Sequence, residues 1–245
     1  MRLDVALAER GLARSRSHAA QLIAQGAVTV NGLPAAKPSQ PVTDADEVAA
    51  AVDHWVSRAA RKLLGALEQS GTPVPGRVLD AGASTGGFTQ VCLEHGARRV
   101  YAVDVGHDQL AAEIRHDDRV TVWEGLNLRD LTLNHLDGEP VDLIVGDVSF
   151  ISLTVLLPAL LPVLRPAGAA LLLVKPQFEV GRELLGAGGI VRDPEHQRQA
   201  VDRVVAAAND LGWAETWCGV SQLPGAGGNT EFFVRFEHQP VSGNG

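Results

Sequence analysis

"VLDAGASTGGFTQ", residues 78–90, decides the fold. Val78 and Leu79 belong to an apolar run that stops at an acid, Asp80. A turn with three glycines, Gly82, Gly86 and Gly87, follows before apolar residues resume at Phe88. Strand, glycine-rich turn and helix start, in that order, begin an open α/β sheet, and glycine lets a ligand come close to the backbone. The turn runs Gly82-Ala83-Ser84-Thr85-Gly86-Gly87, which is not a strict G-x-G-x-x-G.

Outward from this stretch, strands and helices alternate. "RVLDAG", "RVYAVDV", "RVTVWEG", "VDLIVGDVSF" and "AALLLVKP" read as strands, with helical segments between most of them. Such alternation means a mostly parallel sheet covered by helices on both faces. Upstream, "RAARKLLGALEQSG" reads as an amphipathic helix with Leu63, Leu64 and Leu67 inward, Ser57 as its cap and Gly71 as its end. Downstream come a helix over about 194–211, then "AETWCGVSQL", a glycine-rich turn and "TEFFVRFEH", a pair that closes the sheet with an antiparallel last strand.

The ligand of such a sheet binds beyond the carboxyl ends of the strands. Asp80 stands at the first of these ends, where a carboxylate can approach a positively charged ligand. Asp104 ends the next strand, 24 residues on, where an acid can hydrogen-bond ribose hydroxyls. Acid, glycine-rich turn and second acid together favour S-adenosylmethionine over NAD. Asn127 follows the third strand, at the edge used for touching adenine; a plain turn asparagine is an equal reading.

The same edge receives chemistry. Asp147 ends "VDLIVGD" and Lys175 ends the apolar run of "LLLVK". Lysine is almost never fully buried without a partner, so a lysine delivered by a buried strand calls for acids around it. Lys62, on the helix before the sheet, and Glu231, at the start of the last strand, are the other candidates. No His/Cys cluster suggests a metal. The glycine-dotted "FEVGRELLGAGGIVRD" reads as a lid, an RNA-contacting loop or a plain surface loop.

Residues 1–40 carry five basic residues against two acids, a balance of +3 that leaves −11 for the rest of a chain whose net charge is −8. This head reads as two short helices, ended by Gly11 and Gly26, with Ser15 capping the second, then a strand and an Asn-Gly turn in "AVTVNGLPA". Arg10, Arg14, Arg16, His18 and Lys37 are its candidate RNA contacts. The series resembles the S4-type RNA-binding module over roughly residues 1–50. The expected division is residues 1–52 as an α+β head, 53–57 as a linker containing Trp55, and 58–245 as the larger domain. The bulk numbers fit a cytoplasmic protein: 45% hydrophobic and 20% charged residues, no long apolar span, no apolar leader and two distant cysteines.

"SRAARKL", "LDAGASTGGFT", "YAVDVG", "GDVSFISL", "LLVKPQFEVG", "GGIVRDP" and "GNTEFF" together resemble the TlyA family, in which an S4 domain is fused to an FtsJ-like ribose 2′-O-methyltransferase. The resemblance covers nearly the whole chain. It implies a Rossmann-like class I methyltransferase fold with a seven-stranded sheet, and a Lys-Asp-Lys-Glu tetrad falling on Lys62, Asp147, Lys175 and Glu231. It further implies Phe150 in the cofactor pocket, ribosomal RNA or a ribosomal subunit as partner, cytidine as target and, as in the family's short forms, the large subunit. Whether Lys175 serves as base or electrostatic guide is open at this stage. A non-catalytic RNA-binding or assembly factor and a haemolysin-like protein are the alternatives; the full tetrad argues against the first and the lack of a membrane-active segment against the second. The oligomeric state is not legible.

Overall fold

The computed structural model describes residues 1–13, 15–24, 26–50, 54–181 and 184–239. Two compact units divide the chain, Met1–His54 and Trp55–Gly245.

In the first unit, α1 (Leu3–Glu9) and α2 (Arg16–Ala24) precede β1 (Val28–Val30), β2 (Leu33–Pro34) and β3 (Val48–Ala50). The Ser15 hydroxyl accepts from the His18 amide at 3.2 Å, which caps α2. Asn31 and Gly32 both lie in the left-handed region, with φ of 52° and 77°. Val30 pairs with Leu33 across them, the two-residue hairpin that an Asn-Gly pair favours. Leu3, Leu7, Leu22, Ile23, Val28 and Val42 form a small core of their own.

In the second unit, α3 (Ala59–Ser70) leads into β4 (Arg77–Ala81), α4 (Gly87–Glu94), β5 (Arg99–Asp104), α5 (Ala112–Arg115) and β6 (Val120–Glu124). Then come β7 (Val141–Gly146), α6 (Leu153–Leu160), β8 (Leu164–Val174), α7 (Pro176–Glu179), α8 (Pro194–Asp210), β9 (Trp213–Val220) and β10 (Phe232–His238). The strands order as β6-β5-β4-β7-β8-β10-β9 in one seven-stranded sheet. β4 to β8 pair parallel with their neighbours, and β10 runs antiparallel to both β8 and β9.

Both faces are covered, which is why the central strands read as unbroken apolar runs. The pleat sorts them. Val78, Val100, Leu143, Leu171 and Phe233 pack with Leu63, Phe88 and Val91 of α3 and α4. Leu79, Tyr101, Ile144, Leu172 and Val234 pack with Leu156, Leu157 and Val204 of α6 and α8. Trp55 packs against the first of these clusters.

Two expectations need correction. Ser57 does not cap α3: Arg58 holds the cap position with helical φ −62° and ψ −19°, and no side chain bonds there. The extended conformation that turns a serine oxygen back toward the helix amides is therefore missing. The Ser57 hydroxyl is instead buried without a hydrogen-bond partner. β8 also starts earlier than "AALLLVKP", at Leu164. Pro166 lies within the irregularity between Leu164, which pairs with Val141, and Ala169, which pairs with Leu143, a place where a missing amide hydrogen is tolerated.

Candidate active site

β4, β5 and β7 end on one edge of the sheet, and β4 lies between two strands whose connections run in opposite directions, so a crevice opens beyond it. A cavity of about 510 Å³ occupies that crevice, lined among others by Gly82, Ser84, Asp104, Gln109, Leu126, Asn127, Ser149, Phe150 and Ile151. Two glycines of the turn are held where a side chain would not fit. Gly82 has φ +85°, and a side chain there would press on Val148 at 3.1 Å and on the Asp147 carbonyl at 3.2 Å. Gly86 has φ +94°, and a Cβ there would meet Leu110 at 2.9 Å.

Asp104 accepts from the Ser84 amide at 2.8 Å through Oδ2 and from the Gly106 amide at 2.7 Å through Oδ1. A carboxylate offers about four acceptor positions, so capacity for further hydroxyls remains. Asn127 lines the cavity, and its Oδ1 accepts from the Arg129 amide at 3.1 Å, the bond of a turn asparagine. Phe150 lines the cavity with its side chain 92% exposed. Its φ of +66° is costly for a bulky residue, about 1–3 kcal/mol, and its ring centroid stands 5.3 Å from that of Phe178.

A second cavity, of about 250 Å³, shares Gly82, Ser84, Asp147 and Ser149 with the first and continues past Ala83, Thr85 and Gly87 to Ser57, Arg58 and Lys175. Gly86 and Asp80 line neither. Asp80 is fully buried; Thr89 donates to its Oδ2 at 2.6 Å, and its Oδ1 has no partner. Burial pushes this carboxyl up to about 7, with the Thr89 bond opposing and the charges of Asp147 and Asp104 adding to the rise. The expected approach of Asp80 to a ligand is not seen: the pleat turns it inward, under the glycine turn.

The four residues of the expected tetrad form two ion pairs. Lys175 Nζ lies 2.6 Å from Asp147 Oδ1, an ion contact off the hydrogen-bond direction, and donates to Ser149 Oγ at 2.6 Å. Lys62 Nζ and Glu231 Oε2 meet at 2.5 Å, 169 residues apart in sequence. Phe232 pairs with Val174, so the antiparallel register sets Glu231 at the end of β8 where Lys175 leaves the sheet. Lys175 and Asp147 line the second cavity; Lys62 and Glu231 line neither.

Sequence reasoning missed Ser149, although it sits inside the quoted "GDVSFISL", and missed Glu179, which ends α7. The glycine-dotted segment is fastened: buried Asn229 accepts from the Val191 amide at 3.0 Å and donates to the Gly189 carbonyl at 3.1 Å. Arg182 and Glu183 of that segment lie outside the described residues.

In the first unit, Arg10 is spent internally, its guanidinium donating to the Asp46 and Thr43 carbonyls at 2.9 and 2.8 Å. Arg16 is exposed and reaches Asp4 at 3.2 Å. Hydrogen bonding from Arg2, and then from Arg16, holds the Asp4 carboxyl down to about 2 against its burial. Lys37 is exposed and His18 half-buried. Arg14 lies outside the described residues.

Residues 55–238 match the FtsJ-like methyltransferases, and residues 1–48 match the S4 domain. The 16S/23S rRNA (cytidine-2′-O)-methyltransferase TlyA of Mycobacterium tuberculosis is 49% identical over 95% of this chain and 88% of its own length. This chain belongs to the TlyA family. Other members bear a different label: Hemolysin A of Brachyspira hyodysenteriae is 38% identical over 96% of this chain and 99% of its own. A solved structure named as a hemolysin, from Streptococcus thermophilus, superposes with a TM-score of 0.77 at 38% identity, covering 98% of this chain and 88% of that one.

Membership of the FtsJ-like methyltransferases implies S-adenosylmethionine as methyl donor, and the residues present fit it. The first cavity pairs a carboxylate with spare acceptor capacity, Asp104, with apolar walls from Leu126, Leu128 and Ile151 suited to a purine. Its volume is within the roughly 300–1,000 Å³ of small-molecule sites. Among the described residues no group of three or more His, Cys, Asp or Glu side chains could hold a metal ion. Among them, too, no helix is long and apolar enough to cross a membrane.

Proposed function

We propose that this chain transfers a methyl group from S-adenosylmethionine to the ribose 2′-hydroxyl of a cytidine in ribosomal RNA, with the large subunit as substrate. The observation that carries the reading is Lys175: a buried strand delivers it to the donor crevice, where Asp147 and Ser149 pin it. The M. tuberculosis relative, named for cytidine 2′-O-methylation of both subunits, supports the chemistry and makes the small subunit the rival acceptor. A ribosomal RNA substrate supports the cytoplasm as its place of work.

The residues divide the task. Asp104, Asn127 and Phe150 hold the adenosine half of the donor, and the turn from Gly82 to Gly87 carries its amino-acid half. The bound donor supplies an electrophilic methyl group on a sulfonium. A ribose hydroxyl is a weak nucleophile, so it must be aimed in line and relieved of its proton as the bond forms. Lys175 donates to that oxygen and stabilises the negative charge growing on it. A lysine held by a carboxylate and a hydroxyl is a donor, so its role is electrostatic guide; Asp147, in contact with it, is the adjacent acceptor for the departing proton. The buried pair of Lys62 and Glu231 stiffens the end of β10 beside it. Arg14, Arg16, His18 and Lys37 dock the RNA, and Arg10 keeps the surface that presents them in shape.

The test is transfer of labelled methyl from S-adenosylmethionine to isolated 50S and 30S subunits by wild type and Lys175→Ala, with nucleoside mass spectrometry of the product. A 2′-O-methylcytidine made on 50S by wild type alone is expected. Product on 30S only would overturn the subunit, and no product on either RNA would overturn the reading.

A further inference from the structure

Glu179 has no part in the tetrad and lines neither cavity, yet it is a carboxylate with only 3% exposure. It ends α7, four residues after Lys175. Its Oε2 accepts from the Ser152 hydroxyl at 2.5 Å and its Oε1 from the Leu153 amide at 2.8 Å. Its own carbonyl accepts from Arg203 of α8. Both side-chain bonds therefore cross from the turn after β8 to the turn after β7, the segment that carries Asp147, Ser149 and Phe150.

That segment needs holding. Phe150 sits in the left-handed region at φ +66° with its side chain turned out to solvent. A conformation of this kind persists only when its surroundings over-determine it. The contacts that do so converge on the same short stretch: Lys175 on Asp147 and Ser149, Phe178 on Phe150, and Glu179 on Ser152 and Leu153. Of these, only the Glu179 bonds lie outside the cavities, where neither donor nor acceptor can replace them. Burial pushes the Glu179 carboxyl up, opposed by its bonds to Ser152 and Leu153, so the protein bears a desolvation cost at this position.

We propose that Glu179 is a positioning residue of the methyl-transfer site: it locks the Asp147–Ser152 turn to the Lys175–Glu179 turn, and so sets the distance between Lys175 and the donor-binding wall. The proposal rests on the methyl-transfer reading above. It predicts coupled losses without Glu179. The Lys175–Ser149 contact loosens, and Ser149, Phe150 and Ile151, all of which line the donor cavity, lose their fixed places.

The experiment compares wild type, Glu179→Ala, Glu179→Gln and Ser152→Ala. Each is assayed with both substrates saturating, at a temperature well below its own melting point. Misplacement of a reacting group by about 1 Å costs on the order of a hundredfold, so kcat of Glu179→Ala should fall by about tenfold to a hundredfold. Glu179→Gln, which keeps one acceptor, should recover most of it, and Ser152→Ala, which also removes the N-cap of α6, should lose a few-fold with its melting temperature lowered by a few degrees. Variants that melt lower but turn over like wild type would reduce Glu179 to a fold-stabilising residue and overturn the proposal. Calorimetric binding of S-adenosylhomocysteine gives a second reading that needs no RNA. A several-fold weaker Kd for Glu179→Ala, largely restored in Glu179→Gln, is expected, and wild-type affinity of Glu179→Ala overturns the proposal. Absence of transfer by wild type itself would instead count against the proposed function.

Discussion

Lys62–Glu231 and Lys175–Asp147 are two pairs of one chemistry at almost one distance, 2.5 and 2.6 Å. They differ in what surrounds them. The side chains of the first are 6% and 2% exposed, those of the second 9% and 16%, and only the second opens on a cavity. The closed pair is committed: each charge lies out of water and depends on the other, so its energetics are those of the fold. The open pair has an acceptor to spare in Ser149 and space in front of it, so a substrate can enter its field. Proximity of a lysine to an acid therefore says little about chemistry; access decides.

The comparison can be broken most forcefully at Lys175. Lys175→Ala should lower methyl transfer by about a hundredfold to ten-thousandfold, the range for a positioned acid–base or charge-stabilising group. Its melting temperature should stay within a few degrees of wild type. A large loss of stability with activity retained in the folded fraction would make the open pair structural as well.

At the closed pair the effect should move to stability. Lys62→Met leaves Glu231 buried and unpaired, a loss of about 3–5 kcal/mol by denaturant unfolding. The double variant Lys62→Met/Glu231→Leu should regain much of it, because two apolar groups need no partner. A single variant as stable as wild type would show that water reaches the pair.

Asp80 sharpens the contrast, being a buried acid with no lysine. Its carboxyl is raised to about 7, first by burial, from an ordinary value of 3.8. The folded state thus holds the proton over a pH range in which the unfolded chain has released it. The stabilisation is complete below about pH 4 and is lost as pH rises toward 7, at about 1.4 kcal/mol for each tenfold difference in proton affinity between the two states. Asp80→Asn should flatten that slope, so thermal melts of wild type and variant should diverge between pH 4 and 7 and run parallel above it. Parallel curves throughout would mean that the carboxyl is not sealed.

The smallest effect is expected at Ser149. Ser149→Ala removes one of two acceptors from Lys175 and should cost activity about three- to tenfold, with stability changed by about 1 kcal/mol or less. A loss as large as that of Lys175→Ala would make the hydroxyl a full partner in the chemistry.

Much of this was legible in the chain. The glycine turn after β4, the acid ends of β5 and β7, and the lysine end of β8 were each readable, because a strand buried on both faces leaves an apolar run whose stopping point is visible. The Asn31-Gly32 hairpin and the Ser15 cap were readable for a local reason: a few neighbouring residues suffice to form them. Ser57 misled because an N-cap depends on where the helix starts, and Arg58 is already helical. Arg10 reads as an RNA contact by its charge, yet two carbonyls from 33 and 36 residues downstream take up its guanidinium. Glu179 had no signal at all, since a single glutamate after a proline looks like any surface acid.

The sequence by itself determined the parallel sheet, the place of the crevice and the identity of the groups at its rim. Those follow from periodicity and from the rule that a strand's last residue points to the edge where it ends. Only the tertiary structure decided which charges meet, which face water and which are sealed. Lys62 finds Glu231 across 169 residues because β10 inserts beside β8, and Asp80 is hidden while Asp147 is open because Asp80, level with Val145, lies two residues short of the edge at which Asp147 emerges. Pairing and access are properties of packing, and no local pattern of residues encodes them.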